Sequence, residues 1–122
     1  MGTYKDLLLY KKTFALAMEI HTVTKKFPKE EMYSLTDQIR RSSRSANICL
    51  IEAYHKRKYP NYFVSKLTDV DMENSETQGW LEFSLACDYL SREIYYKLKE
   101  QSDEVGRIVQ YMIDNPGKFG AG

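Results

Sequence analysis

Only three prolines interrupt this chain of 122 residues, at positions 28, 60 and 116, and they divide it into long pieces. Proline lacks an amide hydrogen and its ring clashes with the preceding turn, so a helix ends at or before it or starts just after it. Most glycines lie near the two ends. Between the prolines, apolar residues recur at spacings of three and four, and nothing alternates in twos as a strand would. The pattern predicts four helices, over about residues 6–25, 34–57, 60–89 and 92–114. Short connections between long helices force neighbours to run antiparallel, so the expected fold class is all-α, an up-down-up-down four-helix bundle. A length of 122 residues fits one such domain, spanning 1–122.

Each helix carries its own signature. The first has two apolar stripes: Leu7, Tyr10, Phe14, Met18 and His21 on one side, and Leu9, Leu16, Ile20 and Val23 nearly opposite. A surface helix needs only one, so this one is either central or covered by a second subunit. The second stripe, with Trp80 of the third helix, is the expected oligomer contact. In the second helix Ser34 reads as the N-cap. Its seam is Leu35, Ile39, Ser42, Ala46, Cys49 and Ala53, whose small members let a partner helix come close. Phe63, Leu67, Val70, Asn74, Thr77, Leu81 and Leu85 trace the third seam, and Gly79 inside it suggests a close backbone neighbour. Ser91 caps the fourth helix, which buries Ile94, Leu98, Val105, Ile108, Val109 and Met112 and stops at Asn115-Pro116-Gly117.

Composition excludes several classes. Charged residues are 29% and hydrophobic ones 43%, the balance of a globular protein. No apolar run approaches the roughly 20 residues of a membrane helix, so no membrane contact is expected. The sequence MGTYKDLLLYKK lacks a signal-peptide core and cleavage site, which points to the cytoplasm. Cys49 and Cys87 lie in apolar helical patterns and are expected to be buried free thiols. A net charge of +1 rules out a globally basic nucleic-acid binder but leaves room for a local basic face.

Three candidate sites follow. A polar flank recurs every seven positions on the second helix at Gln38, Ser45 and Glu52, with Arg41 beside it. A matching flank on the third holds Tyr62, Lys66, Asp69, Glu73, Glu76 and Trp80. A hairpin centred on residue 59 would set Glu52 against Lys66, Ser45 against Glu73, and Arg41 near Glu76 and Thr77. Such a network fixes helix register and subunit docking, or else lines a polar pocket. The second candidate is a basic face: Arg40, Arg44 and Lys58 on the outer side of the second helix, with Lys56 and Arg57 at its end. It could contact phosphates of RNA or DNA, with Tyr54, Tyr59 and Tyr62 near enough to stack on an unpaired base. The plain alternative is complementarity with the acids Asp69, Asp71, Glu73 and Glu76. The third candidate, catalysis, has little to stand on. There is no P-loop, no GxSxG, no metal-ligand spacing and no Glu-x-x-His, so neither a catalytic residue nor a metal or other cofactor is expected.

The run FPKEEMYSLTDQIRRSSRS, followed by EAYHKRKYPNYFVSKLTDVDMENSETQGWLEFSLACDYLSREIYYKL and the closing YMIDNP, is specific enough to compare. It resembles the bacterial four-helix-bundle proteins first described as products of intervening sequences in 23S rRNA genes, often labelled ribosomal-protein-like. The resemblance runs from about Asp6 to Phe119 and is most specific at Phe27-Pro28, Glu31, Leu35, Gln38, Arg40-Arg41, Glu52 and Glu73 to Thr77. It implies an antiparallel bundle that closes into a homo-oligomeric ring, with a homopentamer the expected size. A related branch, the accessory proteins of diversity-generating retroelements, implies a basic barrel that binds nucleic acid. This chain departs from the pattern at Ile48-Cys49-Leu50-Ile51-Glu52, where the family usually runs Ala-Asn-Ile-Ala-Glu.

Overall fold

The computed structural model describes residues 2–121. Four helices carry the fold: α1 (Leu8–Thr24), α2 (Leu35–His55), α3 (Pro60–Ala86) and α4 (Arg92–Asp114), with no strand among the described residues. One-turn 3₁₀ segments at Tyr4–Asp6, Lys29–Glu31 and Pro116–Phe119 lead into or join them. Contacts run α1 to α2, α2 to α3, α3 to α4 and α1 to α4, without substantial diagonal packing. That is the square of an up-down-up-down bundle. The α1–α2 and α3–α4 connections therefore share one end, and the α2–α3 turn occupies the other.

One core runs through the square, and twelve of its larger side chains are under 2% exposed, among them Phe63, Leu50, Leu67, Leu81 and Val105. Polar residues inside it are paired across helices. Ser42 and Thr77 meet at 2.8 Å between α2 and α3. The Asn74 amide donates to the Ser102 carbonyl at 2.9 Å, and the Ser102 hydroxyl donates to Asn74 Oδ1 at 2.8 Å. Asn47 donates to Thr13 Oγ1 at 3.0 Å, tying α2 to α1. Buried polar groups matched this closely set the register, because any slip would leave them unpaired.

Several sequence expectations need correction. Leu9, Leu16 and Ile20 are not an oligomer contact: they are 0%, 3% and 0% exposed within the chain's own core. The other stripe of α1 faces out instead, with Phe14 and Met18 each 49% exposed. Periodicity finds two stripes but cannot say which one the bundle covers. Gly79 has no neighbour within 4 Å of where a Cβ would sit, so no close backbone approach explains it. Cys49 is only half-buried and Cys87 is exposed. Ile94 is 38% exposed, and Tyr95 takes the buried place beside it. α3 stops three residues short of the expected Tyr89, because Asp88 adopts a left-handed φ of 61°. The Tyr89 amide then closes on the Ser84 carbonyl at 2.9 Å, a helix-ending turn that usually uses glycine. Asp tolerates that conformation better than most residues, which hides the stop from a search for Gly.

The start of α2 also differs. Ser34 makes no side-chain cap. Instead Glu31 reaches forward: its Oε1 accepts from the Ser34 hydroxyl at 2.6 Å and from the Leu35 amide at 3.3 Å. Its other oxygen accepts from the Tyr89 hydroxyl at 2.9 Å. One carboxylate thus caps α2 and clamps the α1–α2 connection to the α3–α4 connection.

Candidate functional site

The outward line of α2 at Arg41, Arg44, Ile48, Glu52 and His55 follows the helical repeat and is exposed along its whole length. At its N-terminal end lies an open groove of about 530 Å³, lined by Met32, Thr36, Asp37, Arg40, Arg41, Arg44, Ser45 and Ile48. Three arginines and one acid, Asp37, therefore line one concavity. Arg40 is turned partly against α1, where its Nε donates to Thr24 Oγ1 at 2.8 Å and its Nη2 reaches the His21 carbonyl at 3.5 Å. It is half-buried and does not project freely as the helical wheel suggests. The Arg44 Nη2 lies 3.2 Å from His21 Nδ1. A guanidinium can only donate, so that nitrogen accepts and the imidazole is neutral. Desolvation, then the charges of Arg40, Lys25 and Arg44, lower the His21 pKa in agreement with this. Thr36, 6% exposed, has a hydroxyl without a hydrogen-bond partner.

At the other end of α2, Arg57 is folded back. Its guanidinium carbon lies 3.6 Å from the Tyr54 ring centroid, and its Nε donates to the Tyr54 carbonyl at 2.9 Å. Lys56 Nζ lies 5.5 Å from the Tyr62 ring centroid, and Lys58 is exposed. Among the described residues, none of the six cations from Arg40 to Lys58 lies within 4.0 Å of a carboxylate. Within the chain, then, α3's acids form no direct ion pair with this face.

Those acids are engaged elsewhere. Lys66 bridges Glu52 at 3.3 Å and Asp69 at 3.7 Å, and its pKa is raised by the hydrogen bond and charge of Glu52. Glu76 is raised, chiefly by a hydrogen bond with Glu73, while Arg41 pulls it the other way. The expected polar network is thereby split. The structure brings Glu52 to Lys66 and Arg41 within electrostatic range of Glu76, but Ser45 turns to Cys49 Sγ at 3.9 Å and makes no bond to Glu73. Burial raises the Cys49 thiol pKa, which disfavours the thiolate form. Gln38 and Trp80 line a separate groove with Tyr33, Leu35 and Phe83. Val23 lines another between α1 and α4. Among the described residues no group of three or more His, Cys, Asp or Glu could hold a metal ion, and no helix is long and apolar enough to cross a membrane.

Comparison with known proteins places this geometry. The profile of the family described as 23S rRNA-intervening sequence protein matches residues 5–111. The chain belongs to that family. No curated protein matches it in sequence. It is similar to the crystal structure of a protein with unknown function from the S23 ribosomal protein family of Bacteroides thetaiotaomicron. The two share 26% identity at a TM-score of 0.79, over 90% of this chain and 98% of that one. The similar structure has the same bundle fold over most of both chains. Sequence reasoning flagged Glu31 but missed its clamp, since Tyr89 lies 58 positions away along the chain. It missed Thr36 altogether, because only burial distinguishes that hydroxyl from any other in a polar stretch.

Proposed function

We propose that this protein is a non-catalytic bundle that contacts the phosphates of structured RNA or DNA through the outer face of α2. The observation that carries the reading is the arginine groove: Arg40, Arg41 and Arg44 line one concavity with a single acid, Asp37, and no carboxylate lies within 4.0 Å of any of the three. Guanidinium groups without a carboxylate partner in a concave surface suit phosphate oxygens, which accept two parallel N–H bonds. The family's name, 23S rRNA-intervening sequence protein, is consistent with an RNA setting. Contacts of this kind read charge and position, not base sequence.

Fluorescence anisotropy of a labelled structured RNA and a matched DNA duplex tests it. Affinity should fall about 10- to 1000-fold between about 50 and 200 mM salt, as each phosphate contact releases counterions. Arg41→Glu/Arg44→Glu should abolish binding while leaving helicity intact. No binding at low salt would retire the reading.

A second reading, a self-assembling or protein-interaction scaffold, is favoured by the apolar side chains left outside. Leu8, Phe14 and Met18 of α1 are 55%, 49% and 49% exposed, and Met72 and Phe83 of α3 are 57% and 59% exposed. Two different apolar faces on one molecule suit head-to-tail association, which closes into a ring. The pentamer implied by the family resemblance is the expected size, and light scattering coupled to size exclusion measures it. A monomer at micromolar concentration would sink this reading.

A further inference from the structure

The six residues Lys56-Arg57-Lys58-Tyr59-Pro60-Asn61, with Tyr62, turn α2 into α3 at the bundle end away from Glu31. Pro60 opens α3 at its first turn, and Tyr59 stands at its N-cap without a side-chain bond. This places Tyr59 and Tyr62 side by side, ring centroids 6.2 Å apart and planes at 90°. Tyr59 is 52% exposed and Tyr62 63%, and neither belongs to the core or packs against it. Tyr54 behaves differently: its ring is covered by Arg57 and meets Tyr4 at 6.0 Å.

The basic residues have a plain structural use, offsetting the negative C-terminal end of α2. That use does not explain two open aromatic rings, each costly to leave in water. We infer that the turn is a stacking platform for unpaired nucleobases, so that the strand held at the arginine groove is single-stranded where it passes the bundle tip. This rests on the phosphate-contact reading above and adds the class of ligand. Two open π-faces, one with Lys56 5.5 Å from its centroid and Lys58 exposed nearby, match the pairing of stacking and charge that binds single strands. The 12 residue steps from Arg44 to Lys56 span about 18 Å of helix, the length of roughly five stacked nucleotides at about 3.4 Å each. Between them the one acid of α2, Glu52, is paired with Lys66 at 3.3 Å. A duplex could still meet the arginines, but its bases are enclosed and cannot reach the tyrosines.

The test uses single-stranded RNA of about 12 nucleotides carrying 2-aminopurine, compared with the same sequence as a duplex, at about 50 mM salt. The single strand should bind about tenfold more tightly or better, with quenching of 2-aminopurine on stacking. Tyr59→Ala/Tyr62→Ala should weaken single-strand binding about 10- to 100-fold and leave duplex binding unchanged, while Tyr59→Phe/Tyr62→Phe keeps it, since stacking needs the ring and not the hydroxyl. Equal affinity for both forms, with the alanine variant indifferent, overturns the platform and leaves the phosphate reading standing. Absence of binding to either form overturns both. A changed subunit number in the alanine variant would assign the tyrosines to a subunit contact and overturn the platform as well.

Discussion

The two ends of the bundle use similar residues to opposite effect. At the end holding the α1–α2 and α3–α4 connections, Phe27 is 8% exposed and packs on Tyr89 with centroids 5.4 Å apart. The Tyr89 hydroxyl is spent on Glu31, and Glu31 caps α2. At the other end Tyr59 and Tyr62 present their rings to solvent, and Lys56 and Lys58 meet no carboxylate within 4.0 Å. Two connections converge at the first end, so its aromatic residues find partners from the opposite loop. At the α2–α3 end the chain's first residues meet Tyr54 and His55, and the C-terminal segment meets α3, but Tyr59 and Tyr62 lie outside those contacts. A sealed end suits stability, and an open one suits binding.

The contrast can be broken most forcefully at Phe27. Phe27→Ala should cost about 3 kcal/mol in urea unfolding, because it empties a buried site between two loops. A loss below about 1 kcal/mol would mean that end is not sealed. Glu31→Gln comes next. The hydrogen bonds from Ser34 and Tyr89 hold the Glu31 pKa below its ordinary 4.5. Its contribution is therefore present above that pH and is lost as pH falls through the depressed value. Thermal melts from about pH 3 to 7 should show a lower midpoint at neutral pH and a shallower acid limb in the variant. Identical acid limbs in parent and variant would remove the clamp.

Tyr89→Phe probes the same clamp more gently, since the ring stays against Phe27. The bond to Glu31 raises the Tyr89 pKa from 10.0 to about 12, so its contribution is complete below the ordinary value and fades as pH rises towards 12. Tyrosinate absorbance should show one late-titrating tyrosine in the parent that the variant lacks. The smallest effect belongs to the open end. Tyr59→Ala/Tyr62→Ala should change stability by no more than about 0.5 kcal/mol, as exposed substitutions do. A loss comparable to that of Phe27→Ala would show the tip to be part of the fold and not a presented surface.

Much of this was readable beforehand. Pro28 falls within the first connection and Pro60 closes the second, and the seams of α2 and α3 hold most of the residues that the bundle buries. Small groups such as Ser42 and Thr77 were placed correctly because the 3.6-residue repeat fixes which side of a helix a residue occupies. The candidate site was less legible. Arg40 and Arg44 lie on the same wheel sector, yet Arg40 bends to Thr24 and Arg44 to His21, and no periodicity encodes where a long flexible side chain finds its acceptor.

By itself, then, the sequence determined four helices, their antiparallel order and the α2–α3 register, since helix breaks and apolar spacing are local properties of neighbouring residues. Only the tertiary structure decided which stripe of α1 is core, that Glu31 and Tyr89 join two loops, and that α2's cations are left unpaired by α3. Each of those depends on what lies opposite a side chain in space, and that neighbour comes from a distant part of the chain.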